Sequence, residues 1–550
     1  MTGPATAIAY VRARLARGGA TRSWALAFVA FFLAIGAWSI AAPYNAIPDE
    51  QDHIIRAAGV VSGQIAPDPT DAVRGSGAFQ TVPAGLIRDD GCWMFDSTVS
   101  AACAPGAGSD RTLVEVGSGA GRYHPAYYAI VGLPLRLLPG WPGVILARLI
   151  SAALTAALLA GALVTILRHS RHRLMLAGLL VAATPMVGFL GGAINPNGVE
   201  IAAGIGFFTA GIVLLLGGSG LAGAPERSSG LGDAARRAAS TTGVVWLAGL
   251  SAVALAMLRT TGLLFLAFGL LALLVPASMS RLRALWRTPA IRWWCGVLTV
   301  TVITSVSWII LMRTSDLGDF NPGGITYSPS QAVLLNMSLW PGYFDEMVGV
   351  TGWLDTRMAA PAYMIWESAA AFVVILALVF GSWRDRWRMF VVFTGGFLLP
   401  LAVQIRATNT VGFITQGRYL LPMLAGVALL AGFVIEERGS DALPSRRIIR
   451  LLTVTLLPIH LICLVYTMVR WQNGLPVKLG ITMLNPFADA DWSPPLGSWL
   501  PIVAEVAGLL LLGYLAWTRA ARPVPPRDGT GGVEDRPGRA PADLVSGEAG

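Results

Sequence analysis

Residues 24–53 read WALAFVAFFLAIGAWSIAAPYNAIPDEQDH, and this stretch decides the fold class. Its first part, residues 24–42, is apolar and uncharged, and about 20 helical residues cross the core of a bilayer. The run lacks the period-two alternation of a barrel strand, so it predicts a membrane-spanning helix. Its last part, Pro48-Asp49-Glu50-Gln51-Asp52-His53, places three carboxylates and an imidazole where the membrane segment meets water. Such a concentration of charge is costly there and indicates a functional site.

The composition of the whole chain is that of a polytopic membrane protein. Of its 550 residues, 54% are hydrophobic and 13% are charged, whereas soluble domains carry roughly 25% charged residues. The net charge of +9 does not indicate nucleic acid, because the basic residues lie in short loops between apolar runs. That distribution is typical of membrane topology. We therefore predict an all-α, polytopic transmembrane helix bundle.

The apolar runs and the arginines between them predict the topology. We expect twelve spans, near residues 24–42, 143–167, 173–192, 197–217, 243–258, 262–280, 293–312, 363–382, 389–405, 419–435, 449–470 and 501–518. Arginines precede the first span and recur in alternate loops. By the positive-inside rule, both termini are then cytoplasmic.

This topology divides the chain into three parts. Residues 1–23 form a cytoplasmic N-terminus, and residues 24–518 form the transmembrane domain. Residues 519–550 are rich in Pro, Gly and charge, which predicts a disordered cytoplasmic tail. Two long outer loops follow, at 43–142 and 313–362, and loops of that length are usually functional or disordered.

The outer loop 43–142 contains two local features. Pro48 favours the first turn of a helix, so we predict a candidate active-site helix over residues 49–62. Cys92 and Cys103 lie eleven residues apart in a compartment that we predict to be oxidising. A disulfide between them is one expectation, and two free thiols are the alternative.

The acidic-histidine cluster is the first candidate for chemistry. The spacing of Asp49, Asp52 and His53 places their side chains on one face of a helix, and Glu50 can also reach His53. The group fits a general base or a divalent-cation site, because hard cations prefer carboxylate oxygens. The alternative is that these acids only stabilise the first turn of the helix.

A second candidate is the segment Thr415-Gln416-Gly417-Arg418-Tyr419, which opens a span at the predicted outer face. The guanidinium groups of Arg418 and Arg406 match phosphate geometry, or they extend to the interface without a ligand. Arg259 breaks an apolar run at another outer bend and has the same two interpretations.

Aromatic residues near carboxylates form a third candidate. Trp353 and Asp355 suit the faces and hydroxyls of a sugar, and His124 lies in a further aromatic cluster. The alternative is an aromatic belt at the membrane interface.

Several short motifs resemble, in order, those of domain-of-unknown-function family 2142, a group of predicted bacterial membrane proteins. They are Pro48-Asp49-Glu50 with His53, His124-Pro125, Asn195-Pro196, Gly352-Trp353-Leu354-Asp355 and Gln416-Gly417-Arg418-Tyr419. The family is similar in layout to the GT-C class of membrane glycosyltransferases, which use a lipid-phosphate-linked sugar donor. The resemblance implies that Asp49 or Glu50 is the base or a ligand of a divalent cation, Mg or Mn.

The function expected from this resemblance is transfer of a sugar from a polyprenyl-phosphate donor to a cell-envelope acceptor, in the plasma membrane of a bacterium. The catalytic candidates are Asp49, Glu50 and His53. The substrate-binding candidates are Arg418, Tyr419, Gln416, Arg406, His124, Trp353 and Asp355. A transporter or flippase of a lipid-linked glycan and a membrane assembly protein are the alternatives. Membrane lipid and a lipid-linked sugar are the expected partners.

Overall fold

The computed structural model describes residues 20–518 apart from residues 72, 74, 89, 90, 105, 139, 218–230, 318–323, 477–479 and 481–483. For residues 20 and 231–240 it describes the backbone alone. The predicted N-terminus, 1–23, is therefore seen only from residue 20 onward. The predicted tail, 519–550, lies outside the described residues.

The described chain is mostly α-helical, which confirms the predicted fold class. The helices are α1 Ala20–Ala41, α2 Glu50–Val61, α3 Pro125–Val131, α4 Leu133–Leu137, α5 Trp141–His169, α6 Met175–Ala182, α7 Pro185–Gly191, α8 Pro196–Gly211, α9 Leu231–Leu258, α10 Thr260–Leu274, α11 Met279–Trp286, α12 Pro289–Leu311, α13 Pro329–Gly349, α14 Ala360–Phe380, α15 Trp383–Val411, α16 Gly417–Val434, α17 Ser445–Asn473 and α18 Trp499–Thr518. Short π-helical segments, Ile212–Leu216 and Ile435–Gly439, extend α8 and α16.

Among the described residues, ten helices are long and apolar enough to cross a membrane, or eleven if one bent pair is counted. The prediction of twelve continuous spans was wrong at two places. The segment 173–192 is broken between α6 and α7, because Pro185 cannot continue the helix and disfavours a helical Thr184. The segment 262–280 ends at residue 274, and the chain then bends by 119° into α11.

Hydrogen bonds near the ends of these two segments show that each segment still runs from one end of the bundle to the other. At one end, the Glu436 carboxylate accepts from the backbone amides of His172 and Leu174, just before α6. At the other, the amide of Ile194, just after α7, donates to Glu50. We call the end that carries residues 42–140 the loop face and the opposite end the far face. Arg281 after α10 lies at the far face, where it donates to Leu214 O.

The loop face is built from short elements over the helix ends. Two antiparallel hairpins lie there, β1 Ala78–Pro83 with β2 Leu113–Ser118, and β3 Val350–Thr351 with β4 Thr356–Arg357. Cys92 and Cys103 form a disulfide within the 91–104 segment. The predicted outer loop 313–362 contains α13 and the second hairpin, so it is largely structured.

Close helix packing in the centre of the bundle depends on glycines. A Cβ atom on Gly204 of α8 would lie 2.1 Å from the carbonyl oxygen of Pro422 in α16, and one on Gly178 of α6 would lie 2.3 Å from that of Ala428. Small residues allow helix backbones to approach in this way, and packing of this kind drives association in lipid. These contacts hold α16, which carries Arg418, against its neighbours.

This packing predicts that Gly204→Ala lowers the midpoint of thermal unfolding of the detergent-solubilised protein. We expect a loss of about 1–3 kcal/mol, the usual cost of overpacking a well-packed core. Gly296→Ala is the matched control, because a Cβ there meets nothing within 4 Å. Equal unfolding midpoints for the two variants would contradict the assigned packing.

Candidate functional site

The helix that was expected over residues 49–62 begins one residue later, at Glu50. Asp49 is the residue before its first turn and has a left-handed backbone, with φ 68°. Asp adopts this conformation more readily than most residues, although it is uncommon. The Asp49 side chain makes no capping hydrogen bond and is 49% exposed. It therefore points away from α2 and is free to meet other elements.

Asp49 meets the first turn of α16. Its Oδ2 lies 2.9 Å from Nη2 of Arg418, whose side chain is only 2% exposed. The same nitrogen donates to the hydroxyl of Tyr419 at 3.0 Å. Within the described part of the chain, Nε and Nη1 of Arg418 are buried and have no hydrogen-bond partner. A buried guanidinium with unused donors is an anion-binding group.

A second guanidinium lies beside the first. The Cζ atoms of Arg259 and Arg418 lie 4.3 Å and 5.0 Å from the centre of the Tyr419 ring. Arg259 Nη1 forms an ion pair with Oε2 of the buried Glu200 at 3.5 Å, but this nitrogen has no hydrogen-bond partner among the described residues. Burial raises the pKa of the Tyr123 phenol, and the charge of the neighbouring Arg259 acts in the opposite direction. We call Asp49, Tyr123, Arg259, Arg418 and Tyr419 the two-arginine site.

Four other buried arginines at the loop face differ from this pair. Both terminal nitrogens of each donate to backbone carbonyls or to a carboxylate. These residues are Arg56, Arg122, Arg148 and Arg470. Such arginines hold loop segments together and have few donors left. The two-arginine site therefore differs from the structural arginines around it because it has terminal guanidinium nitrogens without an acceptor.

Glu50 has a different role from its neighbour Asp49. Its side chain is fully buried and pairs with Arg148 of α5, with Nε–Oε1 at 2.7 Å and Nη2–Oε2 at 2.5 Å. The Ile194 amide also donates to Oε1 at 3.2 Å. Because both carboxylate oxygens are engaged, the contacts of Glu50 favour a structural role over the predicted role as a base.

His53 lies under the two-arginine site. It is 5% exposed, and its Nδ1 is 2.8 Å from the hydroxyl of Tyr128. Burial lowers the pKa of His53 to about 3, and the charges of Arg259 and Arg418 act in the same direction. The imidazole is therefore neutral at physiological pH. It is placed to orient Tyr128 and to support α2.

The residues predicted to hold a divalent cation do not fit one. Asp49 engages Arg418 while Glu50 engages Arg148, on different sides of the same turn. Across the residues that the structure describes, no three His, Cys, Asp or Glu side chains gather in a group that could hold a metal ion. Asp52 adds no third ligand, since its Oδ1 accepts from the Gly119 amide at 2.7 Å.

The predicted sugar-binding residues Trp353 and Asp355 have protein partners instead. Trp353 Nε1 donates to the Asn45 carbonyl at 2.9 Å, and Asp355 pairs with the buried Arg470 at 2.6 Å. Arg470 also donates to carbonyls of the disulfide segment, including those of Trp93 and Val99. The turn at residues 352–355 therefore fastens parts of the loop face to one another.

The other predicted binding residues lie at different distances from the two-arginine site. Gln416 precedes α16 directly, and its buried Oε1 has no partner among the described residues. His124 caps α3 and follows Tyr123 in the chain, and its ring makes an edge-to-face contact with Trp308; burial lowers its pKa to about 4. Arg406 is exposed on α15. Among the described residues, no hydrogen bond or ion pair joins it to the two-arginine site.

Two acidic residues near the site were not among the predicted catalytic or substrate-binding residues. Glu200 lies within an apolar span and is fully buried beside Arg259. Glu346 of α13 accepts from the Gly417 amide at 2.6 Å, and burial raises its pKa. An isolated acid in an apolar run was the available signal for Glu200. For Glu346 the signal was its place after the aromatic residues Trp340, Tyr343 and Phe344, a combination that suits a sugar.

The different environments of Asp49 and Glu50 predict different stabilities for their amide variants. Glu50→Gln leaves Arg148 buried without a counter-charge, which costs about 3–5 kcal/mol. Asp49→Asn should cost less than Glu50→Gln, because half of the Asp49 side chain is in water, which screens its pairing with the buried Arg418. Thermal unfolding in detergent measures both values. Equal destabilisation by the two variants would contradict these assignments.

The burial of His53 predicts an acid-sensitive fold. Its folded pKa of about 3 lies below the ordinary value of 6.5, so the unfolded chain binds a proton more readily. Stability is then complete above pH 6.5 and is lost as the pH falls toward 3. Between pH 7 and pH 5 the loss from this group is about 2 kcal/mol. His53→Gln should show a smaller change in unfolding midpoint between these pH values, and an unchanged pH dependence would contradict the prediction.

The chain is similar in sequence to a family of predicted membrane proteins and has a distant likeness to solved structures. The solved structures that are similar include ArnT from Cupriavidus metallidurans bound to undecaprenyl phosphate, with 13% identity, a TM-score of 0.38, and coverage of 90% of this chain and 77% of that chain. The apo state of the same protein gives 12% identity, a TM-score of 0.39, and coverage of 91% and 77%. No curated protein matches the sequence. The family described as "Predicted membrane protein (DUF2142)" matches residues 31–427, which is most of the chain. The chain therefore belongs to the DUF2142 family of predicted membrane proteins.

Proposed function

We propose that this protein is a membrane glycosyltransferase that moves a sugar from a polyprenyl-phosphate donor to an acceptor hydroxyl. One observation carries the proposal: the half-exposed carboxylate of Asp49 contacts the buried Arg418, which retains unused donors beside Arg259. A base that reaches solvent and a group that binds anions are therefore adjacent. Glycosyl transfer from a phosphate needs both.

The chemistry follows from this pair. Asp49 accepts the proton of the acceptor hydroxyl, and the oxygen attacks the anomeric carbon of the sugar. The bond from that carbon to the phosphate oxygen breaks, and the lipid phosphate leaves with the bonding electrons. Arg418 and Arg259 stabilise the negative charge that develops on this phosphate. A single displacement of this kind inverts the configuration at the anomeric carbon.

A lipid-linked donor suits the position of the site. Arg418 opens α16, and Arg259 lies between α9 and α10, so both guanidiniums lie where apolar helices end. A phosphate held there leaves its hydrophobic tail in the bilayer beside the bundle. The pocket beside Arg259 and Tyr123 encloses only about 20 Å³, roughly the room for one water molecule. This pocket is therefore too small for a sugar phosphate, and binding of the donor requires the side chains around Arg259 to move.

We also propose that the loop face is the outer face of a bacterial plasma membrane. Many arginines of the far face are exposed, including Arg283, Arg384 and Arg446, and the positive-inside rule places such residues in the cytoplasm. At the loop face, Arg148 and Arg470 are fully buried, although Arg111, Arg136 and Arg357 are exposed. The disulfide at the loop face also suits an oxidising compartment.

Transport of a lipid-linked glycan is the second candidate, because one observation favours it. Glu505 of α18 is 1% exposed within a span, and its Oε2 has no partner among the described residues. Intramembrane acids often mark transport pathways. Movement of a lipid-linked glycan by the reconstituted protein, without an acceptor, would favour this function over transfer.

The proposal predicts that Asp49→Asn abolishes glycan transfer without loss of protein. Removal of a general base lowers the rate by about 10²–10⁴-fold. The measurement is the envelope glycan profile of a deletion strain that expresses each variant, with the protein level checked in membranes. Asp345→Asn is the matched control, because Asp345 forms an exposed ion pair with Arg357 at 2.7 Å. A normal profile with Asp49→Asn would refute the assigned base.

A further inference from the structure

The far face contains a polar cavity that the proposed glycosyl transfer does not use. Its volume is about 310 Å³, at the lower end of the range of about 300–1,000 Å³ for small-molecule sites. The cavity lies between the ends of α8 and α16, the bend between α10 and α11, and the first turn of α15. Its polar lining residues are Ser278, Asp385, Arg388, Glu437 and Arg438.

Two irregular helix ends form part of the wall. The segments Ile212–Leu216 and Ile435–Gly439 are both π-helical, and both contribute residues to the lining. Such segments are rare and occur frequently at functional sites. Arg281 donates to the carbonyls of Leu214 and Val213 in the first segment, so the irregular backbone is stabilised by a neighbouring side chain.

The cavity has unused hydrogen-bond donors. Asp385 Oδ1 pairs with Arg388 at 3.1 Å and Oδ2 with Arg438 at 2.7 Å, and Ser382 also donates to Oδ2. Both oxygens of Asp385 are thus occupied. Arg388 is 7% exposed, and its buried Nε has no partner within the described residues. Arg438 engages Asp385 through Nε, and its side chain is 47% exposed. Both arginines line the cavity, so an anion bound there would lie beside two guanidiniums.

The cavity also has an unpaired carboxylate. Glu437 lines it and is exposed, and in the part of the chain that the structure describes it forms no ion pair. A ligand that matches all these side chains has a negatively charged group for the arginines and a positively charged group for Glu437. Inorganic phosphate or an anionic lipid would supply only the first.

The neighbouring helix places this cavity at the membrane surface. α11 follows the 119° bend, and its Met279 and Trp286 side chains are 63% and 58% exposed. The same helix carries Arg281 and Arg283. Exposed apolar and aromatic side chains together with basic ones are typical of a helix that lies in the headgroup region. The cavity beside its first turn, at Ser278, is then at headgroup depth.

We propose that this cavity binds the headgroup of an aminophospholipid. The phosphate accepts hydrogen bonds from Arg388 Nε and the Arg438 guanidinium, and the primary ammonium donates to the Glu437 carboxylate. The phosphoethanolamine headgroup carries one charge of each sign, which matches the unused groups of the cavity. A phosphocholine headgroup has no N–H to donate, and phosphoglycerol has no cation. The site is on the face opposite the two-arginine site.

The test is native mass spectrometry of the full chain in detergent. Short-chain phosphatidylethanolamine, phosphatidylcholine and phosphatidylglycerol are titrated separately, and inorganic phosphate is added as a competitor. The variants are Glu437→Gln and Arg438→Ala. Arg384→Ala is the matched control, because Arg384 is exposed on the same turn of α15 without lining the cavity. Unfolding midpoints verify that each variant is folded.

We expect the wild-type chain to bind phosphatidylethanolamine about tenfold more tightly than phosphatidylcholine, the effect of one charge-assisted hydrogen bond. Glu437→Gln should remove this preference, Arg438→Ala should weaken binding of all three lipids, and Arg384→Ala should change neither. Equal binding of the three lipids, or an unchanged preference in Glu437→Gln, would overturn the proposal. Competition by inorganic phosphate without lipid selectivity would show a simple anion site and would also overturn it.

Discussion

The buried ion pair between Glu50 and Arg148 fixes the place where the first span leaves the membrane. Arg148 also donates to the carbonyls of Ala42 and Pro43, so a single side chain of α5 binds both the end of α1 and the start of α2. With its charge compensated and its donors used, this arginine can be fully buried at acceptable cost. The position of Asp49, directly before Glu50, follows from this anchor.

The acidic segment shows how adjacent residues of similar chemistry acquire different roles. Asp49 has a left-handed backbone and leaves the helix toward Arg418, Glu50 turns inward to Arg148, and Asp52 accepts from the Gly119 amide. In each case the position of the carboxylate relative to α2 selects the partner. Only the first of these carboxylates reaches solvent to a large extent, and this exposure makes it suitable as a base.

Sequence patterns were sufficient for the parts of the fold that depend on local composition. Hydrophobic runs near the thickness of a bilayer gave the positions of ten spanning helices, but the breaks at Pro185 and after residue 274 were not predicted. The sequence placed Asp49 and Arg418 each at an outer helix end, but it did not predict their contact, because they are 369 residues apart along the chain. Glu50 could not be separated from Asp49 either, since Arg148 is 98 residues away along the chain. The roles of Trp353 and Asp355 were missed for a related reason: their partners are a distant carbonyl and Arg470, and sequence spacing does not reveal either.

The unused donors of Arg418 and Arg259 have an energetic consequence. Each buried polar group without a partner costs about 1–3 kcal/mol, and four nearby arginines show that the loop face offers carbonyls able to satisfy such donors. The chain therefore accepts lower stability at these two positions than its own structure could provide. Strain and unsatisfied groups persist where a ligand recovers the energy. A phosphate between the two guanidiniums would do so, and the bound protein should then be more stable than the free one, in proportion to how tightly the phosphate binds.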